Sequence, residues 1–222
     1  RAVPFIAQTP LHCRPSSLAM VLQHIGRAVS AEALADAVFL PARGGTLQPE
    51  MLAGARRYDA FALTIAPKLE ALLREVAAGH PVVVLQNLGL AVAPTWHYAV
   101  VVGYDLAREE LVLRSGLEER QRMHWRTFEH TWARGGHWAF VALQPGELAV
   151  ASDEVTTAQA AVAFERVAAP ASAARVYDAM LARWPGNLVA AIGAGNTRVV
   201  GGDVDGAMRA FEAAAMRHDS AV

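Results

Sequence analysis

The 222-residue chain holds one cysteine, Cys13, set at the front of a stretch with the marks of a helix start, "CRPSSLAMVLQHIG". The thiolate is the nucleophilic form of cysteine, and the unpaired N–H groups and dipole of a helix N-terminus favour it. Arg14 adds a positive charge next to it. The plain alternative is a small apolar residue packed beneath a helix. A working nucleophile needs a base, and eight histidines are available. His12 neighbours Cys13, which sends its side chain elsewhere, and His24 and His80 fall on or at the ends of helices. His124, His130 and His137 lack the spacing of a metal-binding motif, so no metal is expected there. His97 differs, because it opens the strand "HYAVVVGYD" and its ring can project from one end of a sheet. A helix-start cysteine opposite a sheet-end histidine is the arrangement of a Cys–His nucleophilic site.

Those two positions depend on the elements around them. "PSSLAMVLQHIG", "SAEALADAVF", "LQPEMLAGARRY" and "PKLEALLREVAAG" read as helices, with Pro15 suited to a first turn, Ser30 to an N-cap and Gly26 and Gly79 to helix ends. Then "PVVVLQN", "HYAVVVGYD", "ELVLRSG" and "HWAFVAL" are β-branched runs parted by turn residues. Helices first and strands afterwards predict an α+β domain over residues 1–150, with helices packed on an antiparallel sheet. In a meander the strand 82–86 runs out to the end where 97–104 begins, and 111–115 returns there. Asn87 and Ser115 are therefore both candidates to orient the His97 ring. An amide oxygen accepts an imidazole N–H, and so does a hydroxyl, which brings no charge. Asp105, at the far end of the His97 strand, reads as a turn residue.

From residue 151 to 222 the chain becomes alanine-rich and helical. Ala173, Tyr177 and Pro185 recur 34 residues later as Ala207, Phe211 and Asp219, and Ala161 recurs as Gly195. That is the period of tetratricopeptide helix pairs, and this segment resembles two such repeats, with Arg198 where the pattern usually has an aromatic residue. "IGAGNTRVVGG" carries a GxG, yet no strand precedes it and the repeat accounts for its small residues.

The segments "FIAQTPLHCRPSSLAMVLQHIGRAVS", "GGTLQPEMLAGARRYDAFA", "PVVVLQN" and "WHYAVVVGYD" together resemble the double-glycine, bacteriocin-processing cysteine peptidases of the papain-like superfamily, over residues 3–143. The resemblance implies a bacterial, papain-like fold in which Gln8 donates to the oxyanion, Cys13 attacks and His97 is the base. Gln8 suits that role physically: with the Cys13 backbone N–H it supplies two donors, each lowering the barrier by about 3 kcal/mol. Two positions depart from the family. Arg14 replaces the usual glycine, which narrows the cleft, selects acidic groups or faces solvent. Ser115 stands where the family places an aspartate, so Asn87 is favoured on chemistry and Ser115 on alignment. Trp96, Tyr98, Trp125, Trp132 and Trp138 are candidates to wall a peptide cleft, although strand alternation makes some of them plain core and the cleft role is singled out for Trp96.

Composition narrows the field further. Hydrophobic residues make up 54% and charged residues 18%, enough for a sizeable core. A formal net charge of −1 with scattered Lys and Arg leaves no nucleic-acid footprint. The longest apolar run, "VVVLQNLGLAVA", is too short to span a bilayer. The first residue, Arg1, admits a removed leader and leans the expectation towards an extracytoplasmic or lipid-anchored protein. The expected function is a cofactor-free cysteine peptidase acting on a peptide or protein, with the helical repeats recruiting substrate or a partner protein. The alternatives are a catalytically weak peptide-binding adaptor, or an acyl transferase, on the same scaffold.

Overall fold

The computed structural model describes residues 2–7, 13–38, 48–90 and 92–219. Its first helices are α1 (Cys13–His24), α2 (Ala31–Val38) and α3 (Gln48–Arg57), followed by β1 (Phe61–Thr64), α4 (Leu69–Ala77), β2 (Val82–Asn87), β3 (Trp96–Asp105), β4 (Glu110–Ser115) and β5 (Glu118–His124). Then come α5 (Trp125–Arg134), β6 (Ala139–Leu143), α6 (Glu154–Glu165), α7 (Pro170–Arg183), α8 (Leu188–Val200) and α9 (Val204–Asp219). The punctuation acts as expected: Ser30 Oγ accepts from the Ala33 N–H at 3.2 Å, and Gly26 and Gly79 end their helices at φ +87°. A left-handed residue is least strained as glycine.

The strands form one sheet in the order β1-β6-β2-β3-β4-β5, with every neighbouring pair antiparallel. Both faces are covered. Val83, Leu85, Tyr98, Val100 and Phe140 pack with Leu18, Leu22, Leu34 and Met51 of α1–α3. Val82, Val84, Ala99 and Leu113 face the other way, onto Leu72, Phe128, Trp132, Phe164 and Tyr177. This explains why "PVVVLQN" reads as an unbroken run: β2 lies in the middle of the sheet, and all six of its residues are buried. Three elements carried no clear sequence signal. β1 has four residues, β5 ("EERQRMH") is a polar edge strand, and α5 occupies the Trp-rich stretch.

The helical segment shares the second core. Phe164 of α6 meets Phe61 of β1 edge-to-face at 5.8 Å. The connecting segment is held by side chains from both sides. The buried Glu75 carboxylate accepts the Ala151 N–H through one oxygen and contacts His80 Nδ1 through the other, each at 2.7 Å. Arg183 donates to the Ala149 carbonyl at 2.6 Å. Within the segment, α6 and α8 begin at 154 and 188, and α7 and α9 at 170 and 204, both pairs 34 residues apart. The caps recur too: Asp153 accepts from Thr156 N and Asn187 from Ala190 N, each at 2.7 Å. The GxG glycines lie inside α8, where Gly193 and Gly195 let the rings of Tyr177 and Phe211 rest on bare backbone.

Candidate active site

α1 places Cys13 at its first position, and Pro15 in the same turn is compatible with a helix start, where its missing N–H costs nothing. The Cys13 and Arg14 side chains, Gln8, His12 and the GGT loop lie outside the described residues. One turn after Cys13, Ser17 Oγ donates to the Tyr98 carbonyl at 3.3 Å. The first turn of α1 is thereby fixed against the residue that follows His97 in β3.

His97 is the second residue of β3 and stands opposite Gln86 in β2. Its Nε2 lies 2.9 Å from Ser115 Oγ, at the end of β4. The meander thus returns Ser115, not Asn87, to the His97 ring. Burial pushes the His97 imidazole below its usual value, and a hydroxyl offers no charge to counter it.

Asn87 has another task. It pairs with Trp96 rather than His97, and strand alternation puts it on the opposite face. Its Oδ1 accepts the N–H groups of Gly89 and Thr95 at 3.0 and 2.9 Å, closing the base of the β2–β3 loop. The loop is tight there: a Cβ on Gly89 would sit 2.4 Å from the Ala93 carbonyl oxygen. Beyond that staple, Leu88, Leu90, Val92 and Trp96 are all exposed. Of this apolar rim beside His97 only Trp96 is expected from the sequence, where 82–93 registers as an apolar run.

The sequence reading also missed Gln86, which shares the face of His97. Its amide N–H donates to Thr131 Oγ1 at 2.7 Å, and Thr131 in turn donates to the Phe128 carbonyl at 2.8 Å. This chain ties the strand beside His97 to α5. Its only sequence signal is a glutamine inside a valine run, since a buried amide needs partners.

The aromatic cluster divides between core and surface. Tyr98 and Trp132 are core residues, Tyr98 stacked edge-to-face on Trp138 and Trp132 wholly buried. Apolar alternation along β3 turns Tyr98 towards α1, and α5 turns Trp132 towards the sheet. Trp96 is 49% exposed next to His97. Asp105 Oδ1 accepts from Ala107 and Arg108, as a turn residue does. Among the described residues no three His, Cys, Asp or Glu side chains converge as a metal site, and no helix is long and apolar enough to cross a membrane.

A family profile described as "Peptidase_C39 like family" matches residues 1–140. Three solved structures share the fold, each over 64% of this chain. One is described as a C39-like peptidase from Bacillus anthracis, at 24% identity and a TM-score of 0.54, with 94% of that chain covered. Another is the peptidase domain of Streptococcus ComA, a bifunctional ABC transporter of a quorum-sensing pathway, at 20% identity, TM-score 0.53 and 100% of that chain. The third is a double glycine motif protease from an AMS/PCAT transporter in complex with its leader peptide, at 21% identity, TM-score 0.51 and 91% of that chain. No curated protein matches the chain.

Proposed function

For a chain that belongs to the Peptidase_C39 like family, we propose a cysteine peptidase with Cys13 as nucleophile and His97 as base. The observation that carries the reading is the His97–Ser115 pair at 2.9 Å, on a strand to which the first turn of α1 is bonded through Ser17. Ser115 accepts the Nε2 proton, which leaves the Nδ1 lone pair to take the proton of the thiol. The sulfur attacks the peptide carbonyl, and the oxyanion is held by Gln8 and the Cys13 N–H. The amine then leaves with the proton from His97, giving an acyl thioester. Water attacks the thioester, His97 takes the water proton and returns it to sulfur, and the acid is released. Because burial disfavours imidazolium here, His97 works as a neutral base and the helix N-terminus stabilises the thiolate.

Residues 1–150 are the catalytic part in this reading. Residues 151–222 are two tetratricopeptide repeats that bring substrate or a partner protein, a reading supported by the recurrence of helix starts and caps. The substrate is a peptide with small residues before the scissile bond, by analogy with the double glycine motif protease that shares the fold and is seen with its leader peptide. Trp96, exposed next to His97, flanks that bond.

Alkylation by iodoacetamide at pH 7 tests the nucleophile, and a single cysteine makes the mass shift unambiguous. Cys13 is expected to react faster than N-acetylcysteine, and His97→Ala is expected to lower the rate while leaving the part that the helix N-terminus supplies. A rate equal to that of the free thiol overturns the reading. One observation favours a second reading, a peptide-binding adaptor: Ser115 gives His97 no charge. A Cys13→Ala variant with full biological activity would decide for the adaptor.

A further inference from the structure

A hydroxyl can serve His97 in two ways, because it both accepts and donates. If Ser115 Oγ accepts, the ring carries its proton on Nε2 and keeps the Nδ1 lone pair for the thiol. If Oγ donates to Nε2, the proton sits on Nδ1 and no lone pair is left for the thiol. The 2.9 Å contact permits both. The choice falls to whatever takes the hydroxyl's own hydrogen, and burial of Ser115 keeps bulk water from that role. Gln86 carries an uncommitted acceptor on the same face. It is wholly buried and directly opposite His97 in the β2–β3 ladder, where opposed side chains have Cβ atoms about 5 Å apart. Its amide has one satisfied orientation. The nitrogen meets Thr131 Oγ1 at 2.7 Å and Met123 Sδ at 3.8 Å. The single Thr131 hydroxyl hydrogen goes to the Phe128 carbonyl at 2.8 Å, so Thr131 must receive from Gln86. Oε1 is the end left over, buried and without a hydrogen-bond partner among the described residues. A buried acceptor in that state costs stability until something donates to it.

We infer that Gln86 is a positioning residue for His97: its Oε1 takes the Ser115 hydroxyl hydrogen through one buried water, which holds the ring proton on Nε2. Such a water receives from Ser115 and donates to Gln86, the two polar partners a buried water needs at least. Every hydrogen in the resulting line points the same way. His97 donates to Ser115, Ser115 to the water, the water to Gln86, Gln86 to Thr131 and Thr131 to the Phe128 carbonyl. Bonds aligned in this sense polarise one another, so α5 sets the tautomer of a ring it does not touch through any bond of its own. The inference rests on the reading of His97 as the base.

Long-range proton–nitrogen NMR of the full chain reads the tautomer directly, with the His97 signals assigned by their loss in His97→Gln. Above the pH at which His97 titrates, its ring is expected in the Nε2–H form. Gln86→Leu, which keeps a similar volume and removes the acceptor, is expected to move the ring to Nδ1–H. Alkylation of Cys13 by iodoacetamide is expected to slow about three- to tenfold in that variant, the effect of one neutral hydrogen bond. Ser115→Asp added to Gln86→Leu is expected to restore Nε2–H, because a carboxylate only accepts. A packing defect at residue 86 would not be repaired that way. Gln86→Glu keeps an acceptor oxygen on the side chain, is expected to retain Nε2–H, and serves if Gln86→Leu does not fold. An Nδ1–H ring in the unmodified chain or in Gln86→Glu overturns the inference. So does a tautomer unmoved by Gln86→Leu, or one that Ser115→Asp fails to restore. The tautomer is read without turnover, so a responsive ring beside a Cys13 no faster than N-acetylcysteine sinks the peptidase reading alone.

Discussion

Ser115 Oγ lies 2.9 Å from His97 Nε2 across the β3–β4 ladder, so the ring is held by a neutral hydroxyl. A neutral partner orients the imidazole without favouring its charged form. Ser115→Asp should therefore raise the His97 pKa, read from the imidazole proton shifts in an NMR titration. The pH profile of Cys13 alkylation should move with it. Ser115→Ala should lower peptidase turnover about three- to tenfold, the worth of one neutral hydrogen bond.

The lowered His97 pKa has a consequence for stability. The folded state binds its proton less readily than the unfolded state, whose imidazole titrates near 6.5. Folding therefore loses stability as pH falls below that value, and the loss continues until the folded-state pKa is passed. His97→Gln should flatten this slope in urea midpoints taken between neutral pH and mild acid. An unchanged slope would mean that other groups carry it.

Asn87→Ala should remove the staple of the β2–β3 loop. Two backbone N–H groups lose their acceptor, at a cost of about 1–3 kcal/mol each where they stay dry. Denaturation midpoints should fall, while the NMR titration of His97 stays where it was. A shifted His97 titration would return Asn87 to the site.

Phe164→Ala should cost about 3–5 kcal/mol, because the ring is wholly buried against Phe61 at the join of sheet and helices. Chemical denaturation followed by near- and far-ultraviolet circular dichroism together would show whether sheet and helices lose stability in step.

The sequence made legible whatever obeys local rules. Gly26 and Gly79 end helices because a left-handed backbone suits glycine, and the valine runs are strands because their sheet is covered on both faces. β5 was invisible for the opposite reason: an edge strand keeps charged residues on both faces, so it lacks the apolar alternation that marks a strand. The partner of His97 turned on parity. A meander brings Asn87 and Ser115 to the same end of the sheet, and periodicity cannot tell which face each takes. One step of register separates Gln86, opposite His97, from Asn87, opposite Trp96. Trp132 shows the same limit, since an aromatic residue in a helix fits a cleft or a core equally well until its neighbours are fixed.

Glu75 occupies both of its oxygens, one with the His80 ring and one with the main chain of Ala151, where the polypeptide leaves the sheet for the helices. With Arg183 holding the carbonyl of Ala149 from the other side, that crossing is held at two points, side chain to amide and side chain to carbonyl, while the His80 ring fixes the Glu75 carboxylate. These bonds, with the shared core around Phe61 and Phe164, fix the first helices of the segment against the α4 end of the sheet.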